Sequence, residues 1–157
     1  MCPDRRAPRV RPPVVRARGF SLIELMVTVA IVAIIASIAY PSYRSYVLKS
    51  NRTDAIRALT QAAQTLQRCY SQTYTYIGCA PIPPTAPATA PSPNGYYSVS
   101  STNVAAGPPA TFTVKATAAG AQVSDTTCRV FTLNQTGQQT AQDSGGADQS
   151  ATCWGSN

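Results

Sequence analysis

GFSLIELMVTVAIVAIIASIAYPSY, residues 19–43, is the stretch that decides how the rest of the chain is read. From Phe20 to Tyr40 it runs for 21 residues with a single charged member, Glu24. At about 1.5 Å per residue a helix of that length spans roughly 31 Å, the hydrocarbon thickness of a bilayer. Eleven of the 21 are Phe, Leu, Ile or Val. Each favours insertion by about 0.3–0.6 kcal/mol, and the sum, roughly 3–7, meets or exceeds a cost near 3 for one acid. Glu24 also lies close to one end, where water and head groups lower that cost. The run is therefore expected to cross a membrane, and its carboxylate needs a separate reason.

Charge sets the orientation. Arg5, Arg6, Arg9, Arg11, Arg16 and Arg18 stand against Asp4 alone in residues 1–19, so most of the net +7 precedes the apolar run. Positive residues stay cytoplasmic, which places the N-terminus inside and the remainder outside. Arg44 and Lys49, beyond the run, oppose this weakly, because a domain of more than 100 residues translocates largely regardless of such charges. The basic excess thus resembles a targeting segment and is only weak evidence for DNA binding, so nucleic acid is not expected as a partner. A cleaved secretory signal is one alternative, with Ala36 or Ala39 of ASIAYPS near a cleavage site; its apolar core would be shorter and free of acid. A plain membrane anchor is another, which tolerates Glu24 without explaining it.

The chain has no histidine, which removes the commonest general base and nitrogen metal ligand. No glycine-rich phosphate loop is present, so neither an enzyme nor a cofactor is expected. Asp143 and Asp148 flank Gly145 and Gly146, but their spacing fits no calcium loop and reads as solvated turn, so no metal is expected. Beyond Cys2, the cysteines are Cys69, Cys79, Cys128 and Cys153, an even number without a CxxC pair. That favours disulfides in an oxidising compartment over zinc. Four cysteines allow three connectivities, and the expectation is pairing of sequence neighbours, Cys69 with Cys79 and Cys128 with Cys153.

No glycine occurs between Phe20 and Ile77, and only one proline, Pro41. Helix is expected to continue past the apolar run to residue 78, with a bend at Pro41. Ile56, Leu59, Ala62, Ala63, Leu66 and Cys69 or Tyr70 follow the spacing of one buried face, with Arg52, Asp54, Arg57, Gln61, Gln64 and Arg68 elsewhere. Tyr40, Tyr43 and Tyr46 read as an interfacial aromatic belt. CAPIPPTAPATAPSPNG, residues 79–95, holds six prolines and reads as an extended surface loop. Strands are expected at 96–101, 111–118 and 127–133, the last closed by the turn NQTG. The fold class is α+β, a long helix across one face of an antiparallel sheet.

GFSLIE, Gly19 to Glu24, followed by an uninterrupted apolar helix, resembles the type IV prepilin signature. CRVFTLNQTGQ with a terminal CW is most similar to minor pilins of the PilE kind. The resemblance implies a leader over 1–19 cut between Gly19 and Phe20 by a prepilin peptidase that also methylates Phe20. It implies retention of residues 20–40 as membrane span and filament core, an amphipathic helical half over 41–78, a loop over 79–95, and a β head over 96–157 with a C-terminal disulfide loop. Glu24 would then meet the cationic terminus of Phe20 on a neighbouring subunit. The implied partners are other pilins, the peptidase and an inner-membrane assembly platform. The implied locations are the bacterial inner membrane and then an extracellular pilus serving initiation, adhesion and twitching motility. A leader of nineteen residues is long for this group, and Val14 or Val15 is an alternative first residue. A pseudopilin of type II secretion and a DNA receptor for transformation are the rival functions. The second would need exposed cations on the head, where only Lys115 and Arg129 follow residue 80.

Overall fold

The computed structural model describes residues 19–79, 89–105 and 110–155, with side chains at 102–105 outside the description. The leader and the segment 80–88 lie outside the described residues. Two units are described separately, one ending at Tyr40 and one beginning at Pro41.

In the first unit the helix α1 (Leu22–Thr73) starts, with Gly19 to Ser21 preceding it. Its residues up to Tyr40 are all exposed, including Phe20, Leu22, Ile31, Ile35 and Ile38. The hydroxyls of Thr28 and Ser37 donate to the carbonyls of Leu25 and Ile34, at 2.8 and 2.7 Å. Such turned-back hydroxyls leave few polar groups facing outward, as an apolar surrounding requires. By length and composition the helix can cross a membrane.

In the second unit α1 runs on from Pro41, which stays within the helix. The helix stops at Thr73, five residues short of the expected end. Tyr74 takes a left-handed conformation (φ 56°) with its N–H bonded to the Tyr70 carbonyl, the cap a glycine usually supplies. That turn brings Tyr76 against Phe112, with ring centroids 4.9 Å apart, and returns Cys79 to Cys69. Periodicity alone could not show the stop, because no glycine marks it.

Among the described residues the sheet has five antiparallel strands in the order β1-β2-β3-β4-β5: β1 (Thr89–Pro91), β2 (Tyr97–Ala105), β3 (Thr111–Ala118), β4 (Val130–Asn134) and β5 (Gln139–Gln142). A 3-10 helix (Gly120–Ser124) follows β3, and a short helix α2 (Ser150–Trp154) follows β5. β3 spans the expected residues, and its alternation buries Phe112, Val114, Ala116 and Ala118. β4, expected over 127–133, begins at Val130 and buries Phe131 and Leu133. These faces share a core with Ala55, Leu59, Ala62 and Leu66 of α1. Full burial of Phe112 and Phe131, both 0 % exposed, stabilises the head by about 2–3 kcal/mol each.

Two strands were not anticipated. β1 lies in the proline-rich segment, where a proline is compatible with an edge strand because one side of it needs no ladder donor. β5 lies in a stretch poor in large apolar residues, yet it pairs with β4 from Val130↔Gln142 to Leu133↔Gln139 and buries Ala141. Trp154 closes over this region, its indole N–H donating to the Thr140 carbonyl at 2.8 Å and its ring 5.7 Å from Phe131.

Candidate functional site

Gly19 and Phe20 precede the first helical residue, and among the described residues nothing lies within 4 Å of where a Cβ on Gly19 would be. Phe20 is 77 % exposed. Glu24 sits in the first turn of α1, where the helix dipole favours an acid. Among the described residues it makes no ion pair or hydrogen bond. Among the described residues, then, the stretch from Phe20 to Tyr40 is exposed and predominantly apolar, and its one carboxylate has no partner.

On the head, the buried polar groups are spent on structure. Asp125 accepts from Arg52 Nε at 2.6 Å and Nη2 at 2.9 Å, and also from Gln122 Nε2 and the N–H groups of Thr127 and Cys128. Gln122 bonds onward to the Leu48 carbonyl and the Tyr97 hydroxyl. Burial pushes the Tyr97 phenol up to about 12. Asp54, expected on the outer face, is 1 % exposed. It accepts from the Ser92 hydroxyl and the Asn94 N–H, and so holds the β1–β2 turn against α1. Asp143 accepts from the N–H groups of Gly145 and Ala147. Asp148 accepts from the Ser150 hydroxyl and N–H, which lowers its carboxyl below the usual range. Both serve as turn formers, and no cluster of three metal-ligating side chains occurs among the described residues.

The disulfides join Cys69 to Cys79, with Cα atoms 5.6 Å apart, and Cys128 to Cys153, at 5.8 Å. The first fastens the end of α1 to the chain that follows it. The second ties the segment before β4 to α2.

The second unit's solvent-facing charge is one-sided. Arg44, Lys49, Arg57 and Arg68 are exposed along α1, whereas the accessible acids are confined to Asp143 and Asp148 after β5. Arg57 and Arg68 are eleven residues apart, three helical turns, and share a face with the exposed Gln61 and Gln64. Gln61, Gln64 and Arg68 line a groove of about 600 Å³ whose other wall is Ala90, Pro91 and Pro93. Counting cations only beyond residue 80 overlooked this face; the eleven-residue spacing was the signal for it.

Two family models match. One, the prokaryotic N-terminal methylation motif, covers residues 15–40. The other, "Type IV minor pilin ComP, DNA uptake sequence receptor", covers residues 41–132, more than half the chain. The chain belongs to the type IV minor pilins. A solved type IV pilin from Shewanella oneidensis is 33 % identical over 59 % of this chain and 89 % of that one, with a TM-score of 0.44. No curated protein matches. In this minor pilin the two matched regions meet between Tyr40 and Pro41, where the two units also divide. The methylation motif covers Gly19, Phe20 and Glu24, and supports membrane anchoring before assembly. The second match covers the basic face of α1, and its description runs against the expectation that nucleic acid is not a partner.

Proposed function

We propose that this minor pilin is cut between Gly19 and Phe20 by a prepilin peptidase, methylated on Phe20, and held in the bacterial inner membrane by residues 20–40 with the N-terminus cytoplasmic. An inner-membrane platform then assembles it through the apolar helix into an extracellular type IV pilus, where it supports initiation, adhesion and twitching. The observation that carries this reading is the exposure of every described residue from Phe20 to Tyr40 around Glu24, which has no partner among the described residues. Packing that helix among others removes its apolar surface from solvent. A neighbour's N-methylated Phe20 ammonium satisfies a carboxylate that would otherwise cost several kcal/mol in an apolar core. Glu24 thereby sets register, since a misplaced subunit leaves two bare charges. The test is intact and N-terminal mass spectrometry of filaments sheared from cells. The expected chain starts at N-methylated Phe20 with four oxidised cysteines. A chain starting near Pro41, or one confined to membranes, would sink the filament reading.

A second reading, DNA binding by the head, is favoured by the match over residues 41–132 and by the basic face of α1. Arg57 and Arg68, about 16 Å apart along the helix, would contact phosphates, with the exposed Gln61 and Gln64 between them. Duplex binding should weaken steeply with salt, and Arg57→Ala with Arg68→Ala should lower the salt slope by about 2. Binding indifferent to salt, or to both substitutions, counts against it. A role as a type II secretion pseudopilin is separated by which apparatus incorporates the subunit.

A further inference from the structure

The turn that ends α1 holds a residue that neither reading uses. Tyr74 is the one non-glycine residue among the described residues with a left-handed backbone (φ 56°), a conformation that bulky side chains rarely take. Glycine would make the same turn with less strain. What the position gains for that strain is a ring, and the residue is 81 % exposed. We propose that Tyr74 is a stacking platform for an unpaired base of a bound DNA strand. The proposal rests on the DNA-binding reading above and deepens it, because it names the class of DNA: one with a single-stranded segment.

The ring is backed by others. Tyr70 meets it edge-on, with centroids 6.5 Å apart, and itself stacks on Tyr76 at 4.6 Å. Tyr76 packs against Phe112 at 4.9 Å, so a continuous line of rings leads from Tyr74 at the surface to the core. The turn beneath is also held. The Cys69–Cys79 bond brackets it, and the Thr73 hydroxyl donates to the Thr75 carbonyl at 2.9 Å. A surface ring fixed in this way has little freedom left to lose when it meets a partner.

Charge decides between partners. Tyr74 follows Arg68 by six residues, about 9 Å at helical rise, and so lies just beyond the end of the Arg57–Arg68 face. No acid occurs in the sequence from Arg57 to Cys79, and Gln61, Gln64 and Gln72 are exposed along it. A sugar ring or an apolar partner would use the tyrosine and leave the arginines idle. A nucleic-acid strand uses both, with its phosphates on the cations and a base on the ring. Bases inside a duplex are already stacked on one another, so only an unpaired base has a face to offer. The arginines hold any DNA, and Tyr74 adds a preference for an open end.

Fluorescence anisotropy of the full processed chain in detergent would compare three labelled DNAs: a blunt duplex, the same duplex with a short single-stranded overhang, and one whose overhang keeps its phosphates but has abasic sugars. The natural overhang should bind about tenfold more tightly than the abasic one of equal charge, the gain that one stacked base supplies. Tyr74→Gly and Tyr74→Asn, both suited to the left-handed turn, should fold like the parent and lose that preference. Tyr74→Phe, which keeps the ring, should retain it. Salt dependence with the blunt duplex reads the DNA-binding face separately. A chain that binds none of the three in a salt-dependent way overturns both readings. Salt-dependent binding with equal affinity for the two overhangs, or a preference that survives Tyr74→Gly, overturns this proposal alone. Loss of the preference on adding a neutral oligosaccharide would make the ring a sugar platform and overturn it too.

Discussion

Replacing Arg52 by alanine isolates one buried charge. Asp125 is 3 % exposed and its ion-pair partner Arg52 12 %. Removing the guanidinium leaves the carboxylate with Gln122 and the N–H groups of Thr127 and Cys128. Breaking a buried pair from one side costs about 3–5 kcal/mol. The three surviving donors put the loss near the lower end, about 3 kcal/mol. For a head of this size that lowers the melting temperature by about 12 °C. Circular dichroism of the processed full chain in detergent, heated with disulfides intact, measures it. The double replacement Arg52→Met with Asp125→Leu should melt above Arg52→Ala, because it leaves no charge behind. A fall of under about 4 °C for Arg52→Ala would refute the reasoning. So would a double variant less stable than the single one.

Three further outcomes follow from other parts of the molecule. Glu24→Ala should float with membranes like the parent yet enter sheared filaments more than tenfold less, as quantified by mass spectrometry. Replacing Cys128 and Cys153 together by serine opens a bridge of sequence separation 25 and should cost about 3.5 kcal/mol in denaturant unfolding. Tyr97 makes the head alkali-sensitive: its folded pKa of about 12 lies above the ordinary 10, so its contribution is complete below pH 10 and is lost as pH rises toward 12. Tyr97→Phe should flatten that part of the stability profile in pH-dependent melting.

The apolar run and the β3 alternation were legible because each is a local pattern of sequence. The end of α1 was not, since Tyr74 rather than glycine adopts the left-handed turn. β1 and β5 were hidden for a related reason. Their pairing is decided by the neighbouring strands β2 and β4, while proline in one and glutamine in the other mask any strand preference of their own. Asp54 read as a surface residue because its partners, Ser92 and Asn94, are 38 and 40 positions away. The exposed Arg57–Arg68 face was divided from the head in the reading of charge, although the helix that carries it is one wall of the head's core.

Every strand of the sheet is bonded to its neighbour in sequence, and both disulfides close short loops. A chain that folds from its N-terminal side can build such a meander strand by strand, without waiting for a distant partner. Cys69 and Cys79 can oxidise before any strand has emerged. Cys128 must wait until residue 153 has been delivered, and by then β4 and β5 can already stand paired. The second bond thus marks a complete head: a chain halted before residue 153 keeps a free thiol at Cys128, a chemical difference that a thiol reagent can read.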